Sequence, residues 1–211
     1  MTPVAESITL AVPLSLERTM AGRGDGMFYK TAIILAVMIA LILAVGFALP
    51  STFRVERSAE IAAPPAQVFE QLNDFGKWAQ WDPWLAKDQS LRANHAGQPG
   101  VGQVLHWTSG GQETGRCEIV ESVPPERLVM NITFRNKVVP HRTTFSVANV
   151  EGMTKVVWVI EGKNGMQPIG NYFGLMMDSF VGGMLGHGLK RLKRLVETGR
   201  AEPEEATPPP E

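Results

Sequence analysis

The sequence predicts an α+β fold in which an antiparallel β-sheet is covered by a long C-terminal helix and preceded by one transmembrane helix. Three observations predict it. Residues 31–49 contain no charged side chain. Residues from about 87 to 162 alternate between apolar and polar positions and are divided by turn residues, as antiparallel strands are. Residues 171–197 carry apolar side chains near the 3.6-residue period of an amphipathic helix.

The composition sets broad limits on function. The chain has 211 residues, which is enough for one ordinary domain with extensions. Its formal net charge of −1 gives no reason to expect a nucleic acid as a partner. The single cysteine, Cys117, excludes a disulfide within the chain, and the role of a small buried apolar residue fits it better than that of a nucleophile.

The apolar segment TAIILAVMIALILAVGFAL occupies residues 31–49. As a helix it would rise about 28 Å, close to the ~30 Å hydrocarbon core of a bilayer, and it lacks the polar stripe of a soluble helix. We expect a retained transmembrane helix over residues 30–50, and hence a single-pass membrane protein. A cleaved signal peptide is less favoured because the run exceeds the usual h-region and its best cleavage site is Gly46-Phe47-Ala48.

The side of the membrane that carries the domain depends on where translation starts. The flanking cations are Arg18, Arg23 and Lys30 before the apolar segment, and Arg54 and Arg57 after it. This bias leans toward a domain outside the cytoplasm. A start at Met27 instead of Met1 would leave Lys30 alone on the first side and would reverse the bias, so the topology stays open.

The two ends of the chain are expected to be disordered. Residues 1–29 show little secondary-structure signal, and residues 199–211 are acidic, proline-rich and almost free of large apolar side chains. Such segments cannot bury enough surface to offset their ordering entropy. Residues 52–198 therefore remain as the folded domain.

The folded domain begins with a predicted strand over residues 52–63, which alternates in polarity. Pro64 and Pro65 then favour the first turn of a short helix. The segment DFGKWAQWDPW follows and holds three of the five tryptophans, with Asp82-Pro83 interrupting any continuous helix. About six strands come next, separated by turn signals at Gly97–Gly102, Gly110-Gly111, Pro124-Pro125, Asn136-Lys137 and Glu151-Gly152.

The strands have one apolar face, which needs a cover. The segment RLVMNITF, for example, places Leu128, Met130, Ile132 and Phe134 on one side. The amphipathic segment 171–197 supplies the cover, although it contains five glycines that each cost about 1 kcal/mol against alanine in a helix interior. We expect these glycines to permit close approach of the helix backbone to the sheet or to a ligand.

Five segments carry a resemblance to a known family: FRVERSAEIAAPPAQVFEQLNDFGKWAQWDPW, VPPERLVMNITF, TTFSV, TKVVWVIEG and FGLMMDSFVGGMLGHGLKRLKRLVE. Over about residues 52–198 the chain resembles the SRPBCC (START-like) superfamily, specifically its polyketide cyclase/dehydrase-like branch, in which a preceding hydrophobic helix is common. The resemblance implies a helix-grip fold, in which a curved antiparallel sheet wraps around the long last helix and leaves an internal cavity.

The implied cavity gives a set of candidate ligand-binding residues that would line it: Trp81, Trp84, Trp107, Met130, Phe134, His141, Phe145, Trp158, Phe173, Met177 and Phe180. The tryptophans of the DFGKWAQWDPW segment would lie at the cavity entrance. They would either plug that end as core residues or contact a ligand, and the two roles can coexist.

The sequence shows no convincing catalytic constellation. Four histidines match no metal-binding spacing, one cysteine cannot complete a thiolate site, and we predict neither a metal nor a cofactor. His141, on the inward strand face, and His187 and Asp178, on the glycine-rich helix, are the candidates for acid–base chemistry. A hydrogen-bonded structural histidine is the favoured role for His141.

Three functions are compatible with these features. The first is a membrane-anchored module that binds a lipid or another hydrophobic small molecule in the cavity. The second is a structural or partner-binding domain whose cavity is filled by its own side chains. The third, least favoured, is a cyclase- or dehydratase-like enzyme acting on an apolar substrate.

Overall fold

The computed structural model describes residues 25–87, 91–134 and 141–201, and the chain divides into two compact units between Val45 and Gly46. The segments expected to be disordered, 1–29 and 199–211, fall mostly outside the described residues. Their inner ends are described: residues 25–29 are helical, and residues 199–201 follow the last helix.

The first unit is built on helix α1 (Asp25–Ala48), which begins five residues before the predicted transmembrane helix. Its segment Phe28–Ala48 has 21 residues with a mean hydropathy of 2.8. Within the described part of the chain it is the one helix whose length and composition suffice to cross a membrane. Its large apolar side chains are exposed, which is unlike the core helix of a soluble domain.

The second unit contains the sheet and its covering helices. Its described elements are β1 (Thr52–Ile61), α2 (Pro65–Leu72), α3 (Phe75–Trp78), α4 (Pro83–Lys87), β2 (Arg92–Ala96), β3 (Val104–Ser109), β4 (Gln112–Val123), β5 (Arg127–Phe134), β6 (His141–Val150), β7 (Met153–Lys163) and α5 (Ile169–Thr198).

The seven strands form one curved antiparallel sheet in the order β1-β7-β6-β5-β4-β3-β2. Strands β2 to β7 follow one another as a meander, and β1 pairs with β7. Two of the predicted turns, Gly110-Gly111 and Glu151-Gly152, have positive φ at both residues, as two-residue type I′ hairpins require. The predicted turn at Asn136-Lys137 lies outside the described residues.

Helix α5 covers the apolar face of the sheet with its C-terminal half, where Leu185, Leu189 and Leu192 are fully buried. The helix ends at Thr198, and the left-handed backbone of the following Gly199 (φ 69°) lets its N–H donate to the Leu195 carbonyl. The predicted α+β architecture, a curved antiparallel sheet with a long C-terminal helix, is therefore confirmed.

The glycines of α5 have different surroundings. A Cβ on Gly188 would lie 2.8 Å from Trp158 Cζ3 and 2.9 Å from Pro83 Cδ, so this glycine lets the helix backbone approach the sheet and α4. A Cβ on Gly182 would meet the guanidinium of Arg57. By contrast, Gly183 and Gly186 face open space, and close packing does not account for them.

Candidate functional site

Two aspartates position the tryptophan segment by starting short helices. Asp74 Oδ1 accepts the Gly76 N–H at 2.8 Å at the start of α3. Asp82 Oδ1 accepts the N–H groups of Trp84 (3.0 Å) and Leu85 (2.9 Å) at the start of α4. A side-chain oxygen that satisfies the free N–H groups of a first turn is the usual N-cap arrangement.

The three tryptophans of this segment divide between the core and a cavity. Trp81 is fully buried and packs edge-on against Trp158, with 5.9 Å between ring centroids. Trp78 is anchored by its Nε1–H, which donates to the Leu72 carbonyl at 3.0 Å, and one part of it faces the cavity. Trp84 also lines the cavity and packs edge-on against Trp158. Plugging and lining thus occur together.

The cavity has a volume of about 300 Å³ and lies between the inner face of the sheet, the α4 region and α5. Its wall is formed by Phe53, Trp78, Asp82, Trp84, Leu85, Leu91, Leu105, Trp107, Cys117, Ile132, Phe134, His141, Thr143, Trp158, Ile160, Met177 and Val181. Most of these side chains are apolar or aromatic, as is typical of pockets for small organic ligands.

Strand register explains how residues distant in sequence meet on this wall. Leu105 is opposite Cys117, Cys117 is opposite Ile132, and Ile132 is opposite His141, so four strands contribute one row. Side chains at directly paired positions point to the same face of a sheet. The row therefore forms a continuous strip of the wall.

Two strand glycines let aromatic rings lie against the sheet. A Cβ on Gly115 would lie 2.4 Å from the Trp107 ring, and one on Gly162 would lie 2.1 Å from His141 Cδ2. Phe134 packs between these rings, with centroids 6.1 Å from Trp107 and 5.6 Å from His141. A strand glycine often marks such a close approach.

The structure brings together six of the eleven candidate ligand-binding residues on the cavity wall: Trp84, Trp107, Phe134, His141, Trp158 and Met177. Three others lie in the packed core instead: Trp81, Met130 and Phe145, all fully buried. Met130 and Phe145 are on the inward face of strands β5 and β6, and Trp81 is in the turn between α3 and α4; all three belong to the hydrophobic core cluster.

The remaining two candidates, Phe173 and Phe180, are on the outer surface and not in the cavity, being 63% and 65% exposed. They lie on α5, at about 100° per residue, on a face turned away from the buried Leu185. The cavity-facing residues of that half of α5 are Met177 and Val181.

Asp82 also lines the cavity, although it is not among the candidate ligand-binding residues predicted from the sequence. Its side chain is buried, and burial raises its pKa to about 6; the hydrogen bonds from Leu85 and Trp84 and the charge of Arg191 oppose this rise. In the sequence, Asp82 is marked only by the proline that follows it, and an aspartate before a proline indicates the start of a helix. Its charge inside an apolar cavity follows only from tertiary structure.

Two further polar atoms are buried in residues of the cavity wall. Thr143 Oγ1 and Trp158 Nε1 have no hydrogen-bond partner among the described residues, and both residues are 1% exposed. A buried polar group without a partner is costly, so both atoms lower the stability of the folded domain. Burial also raises the pKa of the Cys117 thiol, which keeps it protonated and a poor nucleophile.

The acid–base candidates on α5 are not in the cavity. His187 is exposed, and Asp178 is bound on the surface by Arg57 at 2.8 and 3.0 Å, which lowers the pKa of Asp178. His141 alone of the three lines the cavity. No group of three or more potential metal ligands occurs in the portion of the chain that the structure describes.

The sequence of the domain matches a known family over nearly its whole length. Residues 52–197 match the family described as "Polyketide cyclase / dehydrase and lipid transport". The chain belongs to this family. The resemblance to the SRPBCC superfamily is thereby confirmed, and a comparison with curated proteins found no match.

Solved structures share the fold of this polyketide cyclase/dehydrase and lipid transport domain. Protein SA2116 of Staphylococcus aureus has a TM-score of 0.56 and 11% identity, covering 70% of this chain and 95% of that one. A protein from Arthrobacter aurescens has a TM-score of 0.54 and 12% identity, covering 74% and 92%. DynU16, from the dynemicin biosynthetic locus, has a TM-score of 0.50 and 19% identity, covering 70% and 48%.

Proposed function

We propose that the domain binds a lipid or another hydrophobic small molecule in its internal cavity, and that α1 anchors it to a membrane as a single-pass protein. The observation that carries the proposal is the cavity of about 300 Å³ with its largely apolar wall. The family description, which includes lipid transport, agrees with this function.

The size of the cavity narrows the ligand class. Its volume lies at the lower end of the ~300–1,000 Å³ of typical ligand sites. One ring system or one acyl chain suits that volume better than a whole two-chain phospholipid. Met177, a flexible thioether side chain on the wall, tolerates ligands of different shapes.

The alternative of a filled interior receives less support. Phe134, Trp158 and Met177 all border empty volume, and of the three tryptophans after α2, Trp81 is fully withdrawn into the core. Side chains of the domain therefore leave room for a guest molecule.

The ligand proposal is tested on the full-length protein purified in mild detergent, by native mass spectrometry and analysis of extracted small molecules. Val181→Trp places a large ring in the cavity, whereas Val120→Trp adds the same ring at a position that is 39% exposed and outside the cavity wall. We expect wild type and Val120→Trp to carry a co-purified hydrophobic molecule that Val181→Trp has largely lost. A ligand-free wild type, or equal occupancy in both variants, would contradict the proposal.

A second candidate, proton-transfer catalysis on the bound molecule, is favoured by Asp82 alone. A buried carboxyl group with a pKa of about 6 can both take and give a proton near neutral pH. If the domain dehydrates its ligand, Asp82→Asn protein should retain a precursor that is heavier by one water than the molecule held by wild type. Identical molecules in both proteins would exclude Asp82 from such chemistry.

A further inference from the structure

An apolar stripe lies on the outer surface of the second unit, at the start of α5. It consists of Met166 in the preceding loop and of Ile169, Phe173, Met176 and Phe180 in the helix. Their side chains are 79%, 56%, 63%, 49% and 65% exposed, in that order. Single exposed apolar residues are ordinary on a soluble surface, but a contiguous set of large ones marks an interaction site.

The helical members of the stripe share one face. Ile169, Phe173, Met176 and Phe180 are spaced by four, three and four residues, which keeps them within about 60° of one another on a helix. The stripe runs for roughly 16 Å along the helix axis. Gly182 and Leu185, which are buried against the rest of the domain, lie on the opposite side.

The segment that carries the stripe has little charge of its own. From Asn164 to Leu189 the sequence contains one acidic residue, Asp178, and no lysine or arginine. Asp178 is bound by Arg57 through two hydrogen bonds of 2.8 and 3.0 Å. A neutralised side chain of this kind makes contact with an apolar medium less costly than a free carboxylate would.

The stripe begins beside the residues that open the second unit. The Asn164 N–H donates to the Ser51 carbonyl at 2.9 Å, and Asn164 Nδ2 donates to the Pro50 carbonyl at 2.7 Å. Asn171 Nδ2 donates to the carbonyls of Gly46 (2.8 Å) and Leu49 (3.3 Å). The start of α5 is thus tied to the stretch of chain in which the apolar segment Phe28–Ala48 ends.

We propose that the apolar stripe is a membrane-docking surface that lies in the interfacial layer of the same bilayer that α1 spans. This inference rests on the proposed anchoring, because a membrane span that ends at Ala48 places residues 46–51, and with them the start of α5, at the bilayer surface. A helix that lies in that layer buries its apolar face about 5–10 Å deep, at the boundary of the acyl chains. The spacing, exposure and low charge of the stripe fit this environment.

Docking in this way gives the cavity a short route to lipid. Met177 and Val181 lie in the same half of α5 as the stripe, and they line the cavity on the inner side of the helix. One helical segment would then touch the bilayer with its outer face and a bound ligand with its inner face. A hydrophobic molecule could pass between the two without crossing bulk water.

Depth-dependent fluorescence quenching tests the proposal on the full-length protein in phosphatidylcholine vesicles. Phe173→Cys and Phe180→Cys, labelled with an environment-sensitive fluorophore, report on the stripe. Lys155→Cys is the matched control, since it is exposed on β7 eight residues, or roughly 26 Å, from the end of the strand next to Ser51. Wild-type protein serves as the labelling blank because its one cysteine is buried.

We expect lipids brominated near the headgroup to quench the labels at 173 and 180 several-fold more strongly than the label at 155. Equal quenching at all three positions would overturn the proposal. Cross-linking between copies through the cysteine at 173, without quenching by lipid, would overturn it too and would assign the stripe to self-association. Alkaline carbonate extraction of the same vesicles tests the anchoring by α1 separately from the docking of the stripe. Protein that stays in the membrane but shows unquenched labels refutes docking and leaves the anchor intact.

Discussion

At the scale of single residues, Asp82 combines two properties that oppose each other. Its carboxylate is held by the first turn of α4, which favours the charged form, while its burial beside the apolar cavity disfavours that form. Burial is the stronger effect, and the pKa is raised from 3.8 to about 6. The residue therefore links the local start of a helix to the electrostatics of the site.

This raised pKa predicts a specific dependence of stability on pH. Between about pH 4 and 6 the folded protein keeps a proton on Asp82 that the unfolded chain has lost, so the contribution of Asp82 to the free energy of unfolding falls as pH rises. The size of the fall is on the order of 3 kcal/mol. Asp82→Asn, whose amide oxygen can still cap α4, should not show this fall when its free energy of unfolding is measured by denaturant at each pH. Free energies of unfolding that change in parallel with pH in wild type and variant would contradict the prediction.

Gly162 offers a second prediction at this scale. A Cβ at this position would lie 2.1 Å from His141 Cδ2, so Gly162→Ala must displace the imidazole ring. We expect a loss of about 1–3 kcal/mol of unfolding free energy, as for other overpacked sites. A double-mutant cycle with His141→Ala provides the control, because removal of the ring should relieve most of the loss. Additive effects would show that the ring is not the obstacle.

At the scale of elements, α5 is a helix with two different halves. Its C-terminal half is buried on one face by Leu185, Leu189 and Leu192, whereas its N-terminal half exposes large side chains on the opposite face. The glycines differ along the same helix, since Gly188 packs tightly and Gly186 faces open space. Stability and surface chemistry thus come from different parts of one element.

Gly188 and Gly186 of α5 allow the effect of the same substitution to be compared at a packed and at an open position. Gly188→Ala would bring a methyl group within 3 Å of Trp158 and of the rigid ring of Pro83, so we expect it to lower the unfolding temperature. Gly186→Ala meets no neighbour and should stabilise the helix by up to about 1 kcal/mol. Thermal unfolding of both variants measures the difference, and a loss of stability in Gly186→Ala would mean that this face has a partner.

The sequence predicted these elements well because their periods are strong. Alternation identified the inward faces of the strands, and the 3.6-residue period identified α5, since both follow directly from backbone geometry. Periodicity could not show that α5 has apolar residues on two faces, and it assigned Phe173 and Phe180 to the cavity when they are on the surface. Nor could it separate Met130, in the core, from Ile132, on the cavity wall, because both occupy one strand face.

At the scale of the whole molecule, the apolar helix α1 is the candidate membrane anchor of the domain. A retained anchor predicts that the full-length protein stays in the membrane pellet after alkaline carbonate treatment. Leu41→Arg, near the middle of the apolar segment, should release a large share of the protein because a charge there costs about 2.5–3.5 kcal/mol on insertion scales. Leu41→Ile is the control. An intact mass that corresponds to a chain cut after Ala48 would identify the segment as a cleaved signal instead.

Cys117 allows the occupancy of the cavity to be followed by chemical modification. It is the one thiol in the sequence, it is 2% exposed, and it forms part of the cavity wall. Burial raises the pKa of this thiol and keeps it protonated, so we expect its alkylation to be slow even in the empty domain. A guest molecule that covers the cavity wall should slow it further, and the ratio of the two alkylation rates then becomes a built-in reporter of occupancy in the natural protein.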